Sequence, residues 1–133
     1  MRADGQGCAS STDAGTWTTW GHASGSRVGV GAGFVLDGDG IVCVDLDHCL
    51  RGGRLTADGA VLLEGCPSTW VEVSPSGTGL HVWGYADVCE RRVGEAGRCE
   101  VYGWGRYITV TGKRFRQAPA ELADLTAWID GLP

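Results

Sequence analysis

Apolar and polar positions alternate through several short stretches of this chain, a pattern typical of β-strands that bury one face. The clearest stretch is 40–47, a β-prone run that ends in two acids. Segments rich in glycine and serine separate the stretches, as expected of turns between strands. The sequence predicts six strands, at 27–36, 41–47, 69–74, 80–85, 99–102 and 106–111.

Helical signals are fewer. The segment 57–64 has Thr56 as a candidate N-cap and Gly65 directly after it, so we expect a short helix there. The C-terminal segment 119–129 places apolar residues at helical spacing and has a proline in its first turn. A short helix or turn is also expected at 16–23.

The order of these elements predicts an α+β fold for a single domain spanning 1–133. The first two strands are expected to form an antiparallel hairpin, because Asp37-Gly38-Asp39-Gly40 is typical of a tight turn. The whole sheet is expected to be antiparallel, with helices on one face and an acidic cleft on the other. Residues 1–15 lack periodicity and are expected to be a flexible lead-in.

Because side chains alternate along a strand, the predicted sheet has two different faces. One face is apolar and is expected to carry the helices: Val44, Leu46, Val71, Val73, Leu80, Val82 and Val101. The other combines acids with aromatic and hydroxyl groups: Asp45, Asp47, Glu72, Ser74, His81, Glu100, Trp70, Trp83 and Tyr102. A solvated polar face usually includes lysine, and these strands contain none, which favours a binding cleft.

Asp45 and Asp47 are the strongest candidates for metal chemistry. Two residues apart on one strand, they share a face at a spacing of about 7 Å. Two such carboxylates repel each other unless a cation lies between them, and Mg²⁺ is the usual one. The alternative is a strand end that opens into solvent, where aspartate is common.

The turn before the fourth strand is a candidate anion site. In Ser74-Pro75-Ser76-Gly77-Thr78-Gly79, small residues allow backbone N–H groups to converge on a phosphate. The hydroxyls of Ser74, Ser76 and Thr78 add possible donors, and His81 follows on the next strand. Hairpin turns often have this composition. The turn therefore indicates a phosphate site only in combination with the two acids.

Composition narrows the class of function. The chain has 133 residues and a formal net charge of −5, which argues against general nucleic-acid binding. Seven of its eleven basic residues nevertheless fall between Arg91 and Arg116, a local excess that suits a phosphate backbone or a solvated face equally well. No signal peptide or membrane-spanning run is apparent in the sequence.

The six cysteines do not form a metal motif. No CxxC pair is present, which disfavours a structural zinc site. Cys43 is expected to behave as a small apolar residue in its strand. Cys89 and Cys99 flank a predicted polar loop, and a cytoplasmic setting would keep both reduced.

Three segments together resemble the archaeo-eukaryotic primase superfamily, in particular the primase-polymerase (prim-pol) domains of phages, plasmids and mobile elements. These are Asp45-Leu46-Asp47, then Ser74-Pro75-Ser76-Gly77-Thr78-Gly79-Leu80-His81, then Glu100-Val101-Tyr102 with the stretch from Gly105 to Gly112. The resemblance implies an RRM-like palm and template-dependent nucleotidyl transfer by a DNA primase or polymerase. It places the protein in the cytoplasm of a bacterial or phage-infected cell.

The resemblance also implies roles for individual residues. Asp45, Asp47 and Glu100 would hold two divalent ions, Mg²⁺ or Mn²⁺, and His81 would contact the phosphates of the incoming nucleotide. The triphosphate would lie along Ser74, Ser76, Gly77, Thr78 and Gly79, with Arg106 and Tyr107 beside the nucleotide. The implied partners are an NTP or dNTP, a single-stranded DNA template, and a helicase or accessory domain on another chain. Trp83, Tyr102 and Trp104 are candidates for stacking on template bases.

Two features depart from the family pattern. The third acid is Glu100, where many members have aspartate, and larger members have an additional α/β segment and a helicase. A catalytically degenerate or truncated module that binds nucleotide or single-stranded DNA therefore remains open as an alternative. A rolling-circle nicking enzyme is disfavoured because His81-Val82-Trp83 lacks the second metal-binding histidine.

Overall fold

The computed structural model describes residues 1–88, 92–93 and 98–132. Its helices are a 3-10 helix at Ala14–Thr16, α1 at Trp20–Gly25, α2 at Ala57–Leu62 and α3 at Thr126–Asp130. Its strands are β1 Ala32–Asp37, β2 Ile41–Leu46, β3 Leu50–Arg51, β4 Arg54–Leu55, β5 Val71–Val73, β6 Leu80–Tyr85, β7 Arg92–Val93, β8 Cys99–Tyr102, β9 Trp104–Val110 and β10 Ala123–Asp124. The α+β class predicted from the sequence is confirmed.

Among the described residues, the main sheet has six strands in the order β10-β6-β2-β8-β7, with β5 pairing to the first half of β6. Every pairing in it is antiparallel except that of β10 with β6. β2 is flanked by β6 and β8, as expected for a run whose residues are apolar on both faces. Asp45 therefore lies in the middle of the sheet rather than at an edge, and Asp47 comes directly after β2.

The predicted hairpin between the first two strands is wrong. β1 pairs along its whole length with β9, from Ala32 opposite Val110 to Asp37 opposite Trp104, and β2 pairs elsewhere. The turn between them does not close a ladder, because Gly38 donates its N–H to Gly103 O and Gly40 accepts from Ala86 N. Both glycines have positive φ, which lets the chain turn sharply away from the sheet. We call the β1–β9 pair the flap.

Two apolar cores lie on opposite faces of the main sheet. The larger contains Val42, Val44, Val82 and Val101 and is covered by α2 and α3, which confirms the predicted helical face. The smaller contains Cys43, Trp83 and Tyr102 from the sheet with Leu36 and Ile108 from the flap. The flap thus covers part of the face on which the sequence places the acids.

The C-terminal helix is shorter than predicted. Instead of a helix over 119–129, the chain forms β10, which pairs in parallel with the end of β6, and only then α3. Leu125, Trp128 and Ile129 are buried in the larger core. The apolar residues therefore have the spacing of a helix, but only Thr126–Asp130 form one.

Within the segment 1–15, the Ser11 hydroxyl donates to Gly105 O of the flap at 2.9 Å. The five described cysteines (Cys8, Cys43, Cys49, Cys66 and Cys99) are free thiols, and Cys89 lies outside the described residues. Cys43 is fully buried in the smaller core, as expected of a small apolar residue.

Within the described ranges, the longest α-helices have six residues, and none could cross a bilayer.

Candidate active site

Asp45 occupies the centre of the candidate site. On one side it lies opposite His81 of β6, and on the other opposite Glu100 of β8. His81 is buried, and its Nε2 lies 3.9 Å from Asp45 Oδ1, whereas the Asp45 side chain keeps 23% of its surface exposed. The three residues that the sequence placed on one face are therefore neighbours, with Asp45 open to solvent between them.

The ionised form of the Asp45 carboxyl is disfavoured, which agrees with the prediction that the two acids repel. Burial raises its pKa above the ordinary value, His81 opposes that rise, and the charge of Asp47 adds to it. A carboxylate in this situation gains from a cation placed beside it, because the cation removes both the desolvation cost and the repulsion.

The other two predicted metal ligands, Asp47 and Glu100, form their hydrogen bonds with groups other than Asp45. Asp47 lies in the turn after β2, where its backbone N–H donates to Arg98 O. Glu100 accepts a hydrogen bond from the Tyr102 hydroxyl. In the part of the chain that the structure describes, no three acidic, histidine or cysteine side chains form a cluster that could hold a metal ion. The hard oxygen donors suit Mg²⁺, but they are not preassembled around one point.

The Ser74–Gly79 turn lies directly against the end of β2. Its hydroxyls form a chain: Ser74 Oγ to Ser76 Oγ and Ser76 Oγ to Thr78 Oγ1, each at 3.0 Å. Three of its N–H groups are used within the turn, since Ser74 N donates to Gly79 O, Gly77 N to Ser74 O and Thr78 N to Ser76 Oγ. Ser76, Gly77 and Thr78 are exposed while Ser74 and Gly79 are buried, so the turn presents its tip to solvent beside the acids.

Gly79 sets the distance between this turn and β2, and replacing it tests that contact. A Cβ on residue 79 would lie 2.7 Å from Leu46 O and 2.9 Å from Ser74 Oγ, which forces the turn away from the strand. We expect Gly79→Ala to lower the free energy of unfolding by about 1–3 kcal/mol, the usual cost of overpacking. Urea unfolding measures this loss. Gly21→Ala, at a helical glycine with open space around it, is the matched control and should lose nothing; equal stability of the two variants would contradict the contact.

Arg106 and Tyr107 are neighbours on β9 and leave that strand on opposite faces. Arg106 faces the sheet, with its guanidinium carbon 5.4 Å from the centre of the Tyr102 ring. Tyr107 lies over Gly33 on the outer face of the flap and is 63% exposed. Arg106 is therefore on the same side as Glu100 and Tyr102, whereas a nucleotide contact by Tyr107 stays a prediction.

Of the predicted stacking residues, Trp83 and Tyr102 are buried in the smaller core, so the interpretation of these two as base-stacking platforms is wrong. The reason is the flap, whose Phe34 packs edge-on against Trp83 at 5.8 Å. Trp104 is 59% exposed, and its stacking on a template base stays a prediction. Of the predicted basic stretch, Arg91 lies outside the described residues.

Glu72 is the residue of this site that the sequence did not explain. It is fully buried, yet four groups contact its carboxylate: His81 Nδ1 at 3.4 Å and Trp83 Nε1 at 3.3 Å on Oε1, Thr111 N at 3.2 Å, and Gly112 N at 2.8 Å on Oε2. Burial alone would raise the pKa of Glu72, but the hydrogen bonds from His81, Gly112, Thr111 and Trp83 together lower it below its ordinary value. The only sequence signal was its position on the acidic face.

The lowered pKa of Glu72 makes its contribution to stability dependent on pH. The unfolded chain binds a proton at this position at a higher pH than the folded chain does, so the contribution is complete above the ordinary pKa of about 4.3. It is lost as pH falls through the lower, folded-state value. The gap in unfolding free energy between wild type and Glu72→Gln should therefore be constant near neutral pH and shrink below about pH 4. Urea unfolding at a series of pH values measures the gap, and a gap that widens in acid would contradict the assignment.

A phage protein is similar in sequence to this chain. No family model matches this chain. A protein named DNA primase-polymerase, from Nitratiruptor phage NrS-1, is 37% identical over 117 residues, which covers 80% of this chain. This chain is a homologue of a phage DNA primase-polymerase. The resemblance to phage prim-pol domains is thereby confirmed. The match spans 16% of the length of the relative, so it concerns one segment of a much larger protein.

Proposed function

We propose that this chain is a nucleotidyl-transfer domain of the prim-pol type, which adds nucleotides to a growing strand under the direction of a DNA template. The observation that carries the proposal is the set of neighbours around Asp45. A half-buried carboxylate with a raised pKa lies between His81 and Glu100, beside a Ser/Gly turn, in a homologue of a DNA primase-polymerase. Acids with a perturbed pKa beside other titratable groups are typical of catalytic sites.

Asp45, Asp47 and Glu100 are the residues that would hold divalent ions. When bound, Mg²⁺ or Mn²⁺ would neutralise the phosphates and lower the pKa of the attacking hydroxyl. Since the three side chains are not clustered, we propose that Asp47 and Glu100 close on Asp45 only when nucleotide and ion are both present. Asp45 is the anchor of the set, because its backbone is fixed by ladders on both sides.

The remaining proposed contacts concern the nucleotide. The exposed tip of the Ser74–Gly79 turn would receive the β- and γ-phosphates, with hydroxyl donors from Ser76 and Thr78. His81 Nε2 would donate to the phosphates from the floor of the cleft, and Arg106 would approach from the flap. Single-stranded template would cross Trp104, the exposed aromatic residue at the start of β9.

Binding of a triphosphate to the purified chain, measured by isothermal titration with Mg²⁺ and then with EDTA, tests the proposal. We expect binding that requires the metal. Metal-dependent binding without incorporation into a primed template would instead favour a degenerate nucleotide-binding module. The absence of binding in both buffers would contradict the proposed function.

A further inference from the structure

The hairpin formed by β3 and β4 carries an arginine pair that the proposed reaction does not use. Its strands, Leu50–Arg51 and Arg54–Leu55, are joined by two glycines. Both glycines have positive φ, 57° and 75°, as in a type I′ turn, which constrains the turn residues rather than their neighbours. Leu50 is buried in the larger core, whereas Arg51 and Arg54 lie on the opposite face of the hairpin and are exposed.

Arg51 and Arg54 lie directly opposite each other in the β3–β4 ladder. The Cβ atoms of such a cross-strand pair are about 5 Å apart, and two like charges at that spacing destabilise a hairpin. Within the described ranges, neither guanidinium has an ion pair, a hydrogen bond or a ring contact that would offset the repulsion. An anion placed between the two guanidiniums removes the repulsion and accepts charge-assisted hydrogen bonds from both. The pair therefore has the properties of an anion-binding surface.

Four arginines of the basic stretch predicted from the sequence, by contrast, already contact other groups of the protein. Their partners are a carboxylate, a backbone carbonyl and two aromatic rings: Arg98 with Asp58, Arg114 with Ala118 O, Arg106 with Tyr102, and Arg116 with Phe115. The hairpin pair lies outside that stretch. It has no such contact in the part of the chain that the structure describes, so both of its guanidiniums are available to a ligand.

The hairpin is anchored to the turn that is proposed to receive the nucleotide. Leu50 N donates to Thr78 O at 2.8 Å, which bonds the first residue of β3 to the Ser74–Gly79 turn. Directly before it, Cys49 O accepts from Thr56 N at 2.9 Å and from Thr56 Oγ1 at 3.3 Å. These bonds hold the start and the end of the hairpin in place. The arginine pair is therefore fixed beside the proposed nucleotide site while its side chains extend into solvent.

The exposure of the pair decides between two sources of phosphate, a free nucleotide and a DNA strand. A surface ion pair contributes about 0–1 kcal/mol, because both partners are hydrated and salt screens them. Such a contribution is too small to hold a free nucleotide at an exposed hairpin. A DNA strand presents many phosphates at once and releases condensed counterions when cations neutralise them. Exposed arginines are therefore effective against the polymer.

We propose that Arg51 and Arg54 form a contact surface for the phosphodiester backbone of single-stranded DNA, beside the nucleotide turn. The choice of DNA as the partner rests on the proposed function, whereas the availability of the two guanidiniums does not. Phosphate contacts position a strand and carry no direct sequence information, so the contact is expected to be independent of base sequence.

Binding of a fluorescent oligothymidylate, followed by anisotropy in EDTA at a series of NaCl concentrations, tests the proposal. Each cation that neutralises a phosphate of a single strand adds about 0.7 to the slope of log Kd against log salt concentration. We expect Arg51→Gln/Arg54→Gln to lower this slope by about 1.4 and to raise the Kd about 25-fold at about 0.1 M salt, with the two Kd values converging near about 1 M. An unchanged slope would overturn the inference.

Two further variants separate a phosphate contact from a general effect of charge. Arg51→Lys/Arg54→Lys keeps both charges and should keep the wild-type slope. Arg27→Gln is matched to Arg51→Gln, because each removes one exposed arginine that has no side-chain contact among the described residues. Only Arg51→Gln should lower the slope, by about 0.7. An equal loss in Arg27→Gln would show a response to net charge alone and would overturn the inference.

The Kd for a triphosphate with Mg²⁺ distinguishes the two sources of phosphate. We expect it to change by less than about threefold in Arg51→Gln/Arg54→Gln, because salt screens exposed charges. A rise of about 25-fold in this Kd, with an unchanged salt slope for DNA, would assign the pair to the nucleotide and overturn the inference. If wild type binds no triphosphate, the proposed function fails, while the salt slopes of wild type and variant still decide this inference. A wild type that binds no oligothymidylate overturns it.

Discussion

Asp45→Asn is expected to reduce nucleotide incorporation by about 10²- to 10³-fold or more, the range for removing one group that stabilises charge in a transition state. Asparagine matches aspartate in shape but lacks the negative charge that the site needs to hold a cation. Primer extension with labelled dNTP and Mn²⁺, under single-turnover conditions, measures the loss. Asp37→Asn, which removes an exposed carboxylate from the end of β1, is the matched control and should keep wild-type rates.

The same variant should not lose stability. Because burial raises the pKa of the Asp45 carboxyl, ionising it is harder in the folded than in the unfolded chain, so at neutral pH its charge opposes folding. We therefore expect Asp45→Asn to unfold at the same urea concentration as wild type or a higher one. An inactive variant that is also unfolded would not support a catalytic role, and a folded variant with full activity would contradict it.

Glu72→Ala is expected to lower the free energy of unfolding by about 3–5 kcal/mol, the usual cost of removing one partner of a buried, charged hydrogen-bond network. Alanine leaves the N–H groups of Thr111 and Gly112 and the Trp83 indole without their acceptor, at a position with no access to water. Urea unfolding followed by circular dichroism measures the loss.

The control for this prediction is Glu64→Ala, which truncates an exposed glutamate after α2 and should change stability by less than about 0.5 kcal/mol. A loss of under about 1 kcal/mol for Glu72→Ala would show that the network around its carboxylate contributes little to the fold.

The parts of the fold that the sequence predicts well depend on local alternation. β2, β6 and β8 form where predicted, and their alternation places Asp45, His81 and Glu100 on one face because neighbouring strands keep the same inward and outward pattern. The larger core, which α2 and α3 cover, follows from the same rule. Local pattern also identifies the Ser74–Gly79 turn between β5 and β6.

The parts that were predicted wrongly depend on distant partners. The turn at 37–40 has the composition of a hairpin, and only the pairing of β1 with β9, some 70 residues further on, shows that it redirects the chain. The burial of Trp83 and Tyr102 follows from that pairing. The role of Glu72 was not predictable either, because two of its hydrogen-bond donors, Thr111 and Gly112, are about 40 residues away.

Extension of a primed single-stranded DNA by the purified 133-residue chain tests the central claim most directly. We expect that, with Mn²⁺ or Mg²⁺, the chain adds the nucleotide complementary to the template base, and that EDTA or Asp45→Asn abolishes the addition. A folded chain that binds triphosphate and template but adds no nucleotide would contradict the claim that this domain carries the nucleotidyl-transfer site.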